Sequence, residues 1–205
     1  MMLRTTDHMS RRRFLTAAAA CSLLPALPAA ATTGPDLPAP MRENSVLDRL
    51  IPVIVPELNF INGNTKEELR TRFFRDDHYD PEAIRQLNWL MRDWRQADGP
   101  QIDVRLFWAL AAIGNAAMKE GHSGQITFLS GYRTRKTNDY LRRQGYAAAE
   151  NSYHLKARAV DFRLEGIPMD TVATYADYLE VGGLGRYRRS NFVHIDSGPV
   201  RSWSQ

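Results

Sequence analysis

The spacing of the apolar residues changes near Gly124, and this change restricts the fold more than any other feature of the sequence. Before it, apolar residues recur every three or four positions over residues 81–96 and from Asp103 to about Gly121, as they do along one face of a helix. After it, short alternating runs predict strands with helices between them. Two helices followed by strands with interspersed helices indicate an α+β fold with a small antiparallel sheet.

The first long helix has a clear start signal, because Asp80-Pro81-Glu82 supplies an N-cap, a first-turn proline and a carboxylate for the helix dipole. The apolar stripes of both helices are predicted to lie in the core. They consist of Ile84, Leu87, Leu90, Met91 and Trp94 in the first helix, and of Val104, Phe107, Trp108, Leu110, Ala111, Ile113, Ala117 and Met118 in the second. Upstream, residues 47–76 are predicted to be irregular, with a short helix at 65–74.

Beyond Gly124 the sequence predicts four strands and two helices. The strands are predicted at residues 125–130, 159–164, 184–187 and 192–197, and the helices at residues 134–145 and 169–180. This part of the chain therefore supplies the whole predicted sheet.

The first 31 residues are typical of an export signal. Residues 10–15, SRRRFL, precede a short apolar run that ends in small residues at 29–31. Paired arginines followed by Phe-Leu are typical of a twin-arginine signal. A membrane anchor is the alternative, but Pro25 and Pro28 interrupt a run already shorter than the ~20 residues needed to span a bilayer. We predict a signal peptide at 1–31, a linker at 32–46, a single domain at 47–205 and a periplasmic location.

Composition excludes several classes of function once the signal is set aside. The single cysteine, Cys21, lies in the signal, so the remaining chain is expected to have neither disulfides nor a thiol nucleophile. Residues 1–31 carry +3 of the formal net charge of +4. No stripe of Lys and Arg with interleaved aromatic residues indicates a nucleic-acid partner. We expect a monomer without stable membrane insertion after the signal is removed.

Two histidines and an aspartate lie on or beside predicted strands. His154 stands seven residues before Asp161, and alternation along the last strand puts Phe192, His194 and Asp196 on one face. Each residue alone is more often a hydrogen-bonded polar group than a ligand. Together, two neutral imidazoles and one carboxylate leave a tetrahedral zinc ion with an open position, which can bind and acidify water. The residues alone leave both interpretations open.

Several segments resemble one peptidase family. SYHLKARAVD, residues 152–161, resembles the SxHxxGxAxD motif of the LAS zinc peptidases, which include lysostaphin-type endopeptidases, D-Ala-D-Ala carboxypeptidases and the Sonic hedgehog N-domain. The remaining segments resemble more narrowly the YcbK-like (MepK-type) murein endopeptidases and span about residues 55–203. They read LNFINGNTKEEL, YDPEAIRQLNWLMRDWR, SGYRTRKTN, GGLGRY and NFVHIDSGPVRSW.

This resemblance implies a fold, a reaction and a set of site residues. The implied fold is of the hedgehog and D-Ala-D-Ala peptidase type, with helices flanking a sheet that carries one Zn²⁺. The implied reaction is hydrolysis of peptide cross-links in peptidoglycan, by an endopeptidase more than by a carboxypeptidase. The implied zinc ligands are His154, Asp161 and His194. Arg133 is implied to hold a carboxylate or carbonyl of the substrate, and Tyr132 and Ser152 are further candidates for substrate contact.

The sequence departs from the family pattern at two places. Ala157 stands where the motif has glycine, so a positive φ at this position would strain the backbone. Many relatives have a carboxylate or a histidine base three or two residues before the last ligand, where this chain has Asn191 and Phe192. Asp196 is the nearest candidate, either as a general base or as a partner that orients His194.

Two other functions compete with the peptidase. A non-catalytic wall-binding module with a LAS-type fold would explain the missing base. Its structural zinc would need a fourth protein ligand, and none stands at an evident spacing, which favours an open catalytic site. A serine hydrolase that uses Ser130 or Ser197 is disfavoured because the chain has no G-x-S-x-G motif.

Overall fold

The computed structural model describes residues 45–205, so the predicted signal and nearly all of the predicted linker lie outside the described residues. The helices are α1 (Val46–Leu50), α2 (Pro81–Leu90), α3 (Val104–Lys119), α4 (Arg135–Arg143) and α5 (Met169–Leu179), with 3₁₀ turns at Ile51–Val53 and Tyr153–Lys156. The strands are β1 (Glu57–Asn62), β2 (Glu68–Arg72), β3 (Phe74–Arg75), β4 (His78–Tyr79), β5 (Ile126–Ser130), β6 (Ala159–Leu164), β7 (Gly183–Tyr187), β8 (Phe192–Asp196) and β9 (Arg201–Ser204).

The α+β class is confirmed, but the prediction of a small antiparallel sheet is wrong. Seven strands form the main sheet in the order β2-β1-β5-β6-β8-β7-β9. Only the four central strands, β5, β6, β8 and β7, match the predicted sheet, and they are antiparallel to one another. The sheet is larger because β1 and β9 add to it by parallel pairing with β5 and β7.

The segment predicted to be irregular, residues 47–76, contains the helix α1 and two strands of the main sheet. The short helix predicted at 65–74 is instead the strand β2, which pairs antiparallel with β1. Its Glu and Arg residues suit a helix, but pairing with β1 outweighs that weak local preference. A cross-strand ion pair supports the pairing, since Arg70 Nε lies 2.7 Å from Glu57 Oε1.

The helix α2 starts as predicted but ends at Leu90, six residues before the predicted end. Asp80 caps it by accepting hydrogen bonds from the backbone N–H groups of Glu82 and Ala83. Beyond Leu90 the chain turns, because the Asp93 N–H donates to the carbonyl of Asp98 at 2.7 Å. The buried Asp93 carboxylate also accepts both the N–H and the hydroxyl of Thr134. These bonds hold the chain away from a helical path.

The hydrophobic core lies between the sheet and the helices α3 and α5, which contact each other and the central strands. Most of the two predicted apolar stripes are buried in this core. Trp94 and Met118 are exceptions, with 38% and 46% of their surface exposed, because they lie at or beyond the ends of their helices. Among residues 45–205, no helix combines the length and the hydropathy that a membrane span requires.

Candidate metal centre

The pairing of β6 with β8 brings two of the candidate ligands together. Asp161 lies directly opposite His194 in the antiparallel register, so the two side chains project from the same face of the sheet. Their neighbours Val160 and Ile195 point to the other face and lie in the core. The alternation predicted for the last strand is therefore confirmed, and it places polar side chains on the face opposite the helices α3 and α5.

His154 reaches the same place from a short 3₁₀ turn just before β6. Ser152 caps this turn, since its hydroxyl accepts the N–H of His154 at 3.3 Å. The turn ends at Ala157, which has a left-handed conformation with φ 54° and ψ 33°. The positive φ that would strain an alanine is therefore present, at a cost of about 1 kcal/mol for a non-glycine residue. Burial of Ala157 and a hydrogen bond from the Asp103 N–H to its carbonyl hold the conformation.

The three candidate ligands converge as a metal site requires. His154 Nε2 lies 3.3 Å from His194 Nδ1 and 3.2 Å from Asp161 Oδ1, and His194 Nδ1 lies 2.7 Å from the same oxygen. Zinc bonds of 2.0–2.1 Å in a tetrahedron put neighbouring ligand atoms about 3.3 Å apart. Two of the three separations match this value closely. All three residues are buried, and they form a group able to hold a metal ion.

The far nitrogen of each histidine ring has its own hydrogen-bond acceptor. His154 Nδ1 donates to the carbonyl oxygen of Gly131 at 2.6 Å, and His194 Nε2 donates to Asp196 Oδ2 at 3.1 Å. Such partners fix the tautomer and the ring orientation of metal-binding histidines. The nitrogen that remains on each ring points into the cluster, so the residues present fit a metal ion.

Asp196 has a fully buried carboxylate whose oxygens are all engaged. Besides His194, it accepts the N–H groups of Gly183 and Gly198 at 3.1 and 2.8 Å, and two hydrogen bonds from Arg201 at 3.0 and 2.7 Å. Burial alone would raise its pKa, but the bonds from His194 and Arg201 outweigh burial and hold the pKa below its usual range. A carboxylate in this state is a weak proton acceptor.

Two glycines of β7 permit this arrangement. A Cβ atom at Gly183 would collide with the Asp196 carboxylate and the Arg201 guanidinium. At Gly185, which lies opposite His194, a Cβ atom would come within 2.7 Å of the Trp203 ring and 2.8 Å of the Tyr187 ring. Both glycines are therefore required by close approach of side chains across the strand.

We expect Gly183→Ala to lower the free energy of unfolding by about 1–3 kcal/mol, since the added methyl group must displace the buried Asp196 carboxylate and the Arg201 guanidinium paired with it. Thermal or denaturant unfolding measures the effect. Gly114→Ala in α3 is the matched control: its Cβ atom would meet nothing closer than 3.4 Å, so it should be neutral or stabilising. Equal stability of the two variants would contradict the expectation.

Arg133 contacts the cluster through Asp161. Its Nη2 lies 2.5 Å from Asp161 Oδ2, and its Nε donates to Ser130 Oγ at 2.7 Å. Asp161 thus joins the imidazoles to the guanidinium: Oδ1 lies against His194, Oδ2 lies against Arg133, and His154 Nε2 lies 3.2 Å from both oxygens. Burial would raise the pKa of Asp161, but the charges of His154 and Arg133 outweigh burial and hold it well below its usual range.

The two histidines differ in pKa. Burial and the positive charge of Arg133 lower the pKa of His154 to about 4, so this ring is neutral near pH 7. Burial would also lower the pKa of His194, but hydrogen bonds to Asp161 and Asp196 outweigh burial and raise it. His194 is therefore the candidate ligand whose proton would have to leave if a metal ion bound near neutral pH.

A cavity of about 620 Å³ is lined by the three candidate ligands and by most of the other predicted site residues. Arg133 and Ser152 line it, whereas Tyr132 is not among its lining residues. Tyr132 is half-buried, packs against the core and donates its N–H to the carbonyl of Met91. The contacts of Ser152 are those of a helix cap. Of the candidate nucleophiles, Ser130 accepts from Arg133, and Ser197 donates to Asp103 at 2.6 Å.

The cavity residues that the sequence interpretation missed include Tyr187, Arg201 and Trp203. Arg201 and Trp203 lie on β9, which was not predicted as a strand, and they meet the site because β9 pairs with β7 in a parallel register that sets Gly185 beside Trp203. The signal that could have indicated them is the alternation of Arg201 and Trp203 in the segment RSWS.

Known proteins resemble the chain over most of its length. The family model described as peptidoglycan L,D-endopeptidase MepK matches residues 53–203. The probable peptidoglycan L,D-endopeptidase MepK of Haemophilus influenzae is 40% identical over 147 residues, covering 71% of this chain and 77% of that protein. The peptidoglycan L,D-endopeptidase MepK of Escherichia coli K12 is 38% identical over 146 residues, covering 71% and 79%. No solved structure gives a significant match.

Proposed function

The chain belongs to the peptidoglycan L,D-endopeptidase MepK family, and from this premise we propose that it is a zinc-dependent murein peptidase that hydrolyses L,D peptide cross-links. The observation that carries the proposal is the convergence of His154, Asp161 and His194 in one cavity. The names of the relatives favour an endopeptidase over a carboxypeptidase. They also favour an enzyme over a wall-binding module.

We propose that one zinc ion per chain is held by His154 Nε2, Asp161 Oδ1 and His194 Nδ1. Two imidazole nitrogens and a carboxylate oxygen are a donor set that suits zinc. When bound, the ion would polarise a substrate carbonyl and lower the pKa of water towards 7.

Other groups of the protein fix the orientation of the three proposed ligands. The Gly131 carbonyl and the Asp196 carboxylate hold the two imidazole rings, and Arg133 holds the second oxygen of Asp161. Since its oxygens are engaged, Asp196 acts in this proposal by orienting His194 and not as a general base. Arg133 presents its remaining nitrogen, Nη1, to a carboxylate or carbonyl of the substrate. Hydrolysis adds the oxygen of water to the carbonyl carbon, breaks the C–N bond and leaves a proton on the departing amine.

Export from the cytoplasm would bring the protein to this substrate. Peptidoglycan lies outside the cytoplasmic membrane, and residues 10–15 have the pattern of a twin-arginine signal. We therefore propose that the protein acts as a monomer in the periplasm after residues 1–31 are removed.

Zinc affinity should fall as the pH falls below the pKa of His194. That pKa is raised above 6.5 in the metal-free protein, so a proton competes with zinc already near neutral pH. We expect about a tenfold loss of affinity per pH unit below it. The low pKa of His154, about 4, adds a further loss only in more acidic solution. Competition with a chromophoric chelator from about pH 5 to 8 measures the effect. A constant affinity over this range would contradict it.

The function is tested by digestion of two purified muropeptide dimers with residues 32–205, with zinc or with a chelator. The dimers differ only in the configuration, L or D, of the residue on the carbonyl side of the linking bond. We expect the L,D dimer to be converted to monomers, with masses that identify the bond, and the chelator to abolish the reaction. Release of terminal D-alanine alone would identify a carboxypeptidase. Cleavage of neither dimer by folded, zinc-loaded protein would favour the wall-binding module.

A further inference from the structure

Tyr187 lies on the same face of the sheet as the candidate ligands. In the antiparallel pairing of β7 with β8, Gly185 is opposite His194 and Tyr187 is opposite Phe192. Residues two apart on a strand project from one face, so the Tyr187 side chain is on the face that carries His194. Tyr187 lines the cavity that contains the three candidate ligands.

The position of the Tyr187 ring is fixed by two contacts. The ring stacks on Phe192, with centroids 4.4 Å apart and an angle of 10° between the planes. The hydroxyl accepts a hydrogen bond from Trp203 Nε1 at 3.3 Å. A Cβ atom at position 185 would come within 2.8 Å of both the Tyr187 and the Trp203 ring, so Gly185 leaves room for these two rings. The hydroxyl is therefore held against Trp203, whose ring centroid lies 5.3 Å from that of the candidate ligand His194.

The contact with Trp203 leaves the hydroxyl proton of Tyr187 for another partner. An indole N–H is only a donor, so Tyr187 must be the acceptor in this bond, and its own O–H points elsewhere. Within residues 45–205 no hydrogen bond to an acceptor uses that proton. Burial raises the pKa of the hydroxyl, and the negative charge of Asp161 raises it further. The hydroxyl is therefore neutral at physiological pH and can donate.

The two guanidinium groups nearest the cluster already have carboxylate partners. Arg133 is paired with Asp161 and Arg201 with Asp196. Arg133 keeps only Nη1 for the substrate, and Tyr187 adds a neutral, positioned donor in the same cavity, with its proton available. A donor held in this way suits an oxygen atom that becomes negatively charged during reaction, because its orientation needs no rearrangement.

We propose that the Tyr187 hydroxyl is a catalytic hydrogen-bond donor to the carbonyl oxygen of the scissile peptide bond. The bond strengthens as the oxygen gains negative charge while water adds to the carbonyl carbon. Trp203 and Phe192 act as positioning residues for this hydroxyl. The inference rests on the proposed peptidase function and names a residue of that same site.

Tyr187→Phe tests the proposal, because phenylalanine keeps the stack on Phe192 and removes only the hydroxyl. We expect kcat on the L,D dimer to fall by about 100-fold or more, as for loss of one such donor in other enzymes. The KM, zinc content and thermal stability should stay close to those of the wild type. Tyr140→Phe, at an exposed position of α4, is the matched control and should keep full activity. A wild-type kcat in Tyr187→Phe would overturn the proposal.

A binding measurement separates this proposal from the proposed function. A phosphinate analogue of the L,D-linked peptide carries a negatively charged oxygen where the reacting carbonyl oxygen would lie. We expect calorimetry to show at least tenfold weaker binding to zinc-loaded Tyr187→Phe than to the wild type, whether or not the wild type cleaves the dimer. Failure of the wild type to cleave would count against the proposed function alone. Equal affinity of the two proteins, or no binding to either, would overturn the role of Tyr187.

Discussion

Asp161→Asn should lose bound zinc and nearly all peptidase activity. The amide keeps the size of the side chain but removes the negative charge between His154 and His194, and it leaves Arg133 without its ion-pair partner. We expect zinc affinity to fall by more than about 100-fold, the upper end of the effect of groups that only orient a ligand. Activity should fall at least as far. Metal analysis of the purified variant and the dimer assay measure the two effects.

Asp170→Asn is the matched control for this substitution. Asp170 also pairs with an arginine, since Arg188 Nη1 lies 2.9 Å from its Oδ2, but both side chains are more than half exposed. This variant should keep full zinc content and activity, because an exposed ion pair contributes little. Full zinc occupancy in Asp161→Asn would show that Asp161 serves only as an ion-pair partner of Arg133.

Asp196→Asn should weaken zinc binding about 10- to 100-fold, with a parallel loss of activity at limiting zinc. Asparagine retains one oxygen to accept the His194 proton, but it loses the charge that raises the pKa of His194 and pairs with Arg201. A chelator competition titration measures the affinity. We expect excess zinc to restore most of the activity, because the substitution acts through the orientation of His194.

The alternative role of Asp196 as a general base makes a different prediction. Loss of a base lowers kcat by about 10²–10⁴-fold at saturating zinc and leaves zinc affinity unchanged. Asp103→Asn is the comparison for loss of a carboxylate outside the cavity. Asp103 also has a hydrogen bond, from Ser197 at 2.6 Å, but it is not among the residues that line the cavity. A large loss of kcat in Asp196→Asn that zinc does not restore would contradict the orienting role.

The sequence predicts those relations within the site that join residues close together in the chain. Alternation along β8 puts His194 and Asp196 on one face, and the seven-residue spacing brings His154 to the start of the strand that carries Asp161. Both relations depend on neighbouring residues and on the periods of strands and turns. The place of Ala157 in the motif likewise marks the position where the backbone has a positive φ.

The contacts between residues that are distant in sequence could not be predicted from such local patterns. The place of Trp203 beside Gly185 depends on parallel pairing of two strands at the edge of the sheet, and no local pattern specifies that register. The early end of α2 depends on Asp93 binding Thr134, about forty residues away. The strand β2 has the composition of a helix and becomes extended because β1 is beside it.

The pairing of Asp161 with His194 also links metal binding to folding. His154 and Asp161 are close in sequence, but His194 is 33 residues beyond Asp161 and joins them only when β8 docks on β6. An unfolded chain therefore lacks the complete set of ligands, and a zinc ion bound to all three would favour the folded state by mass action. At a free zinc concentration of 100 times Kd, that linkage would add about 2.7 kcal/mol to the free energy of unfolding. A catalytic zinc ion would then also act as a non-covalent cross-link within residues 45–205, which contain no cysteine to form a covalent one.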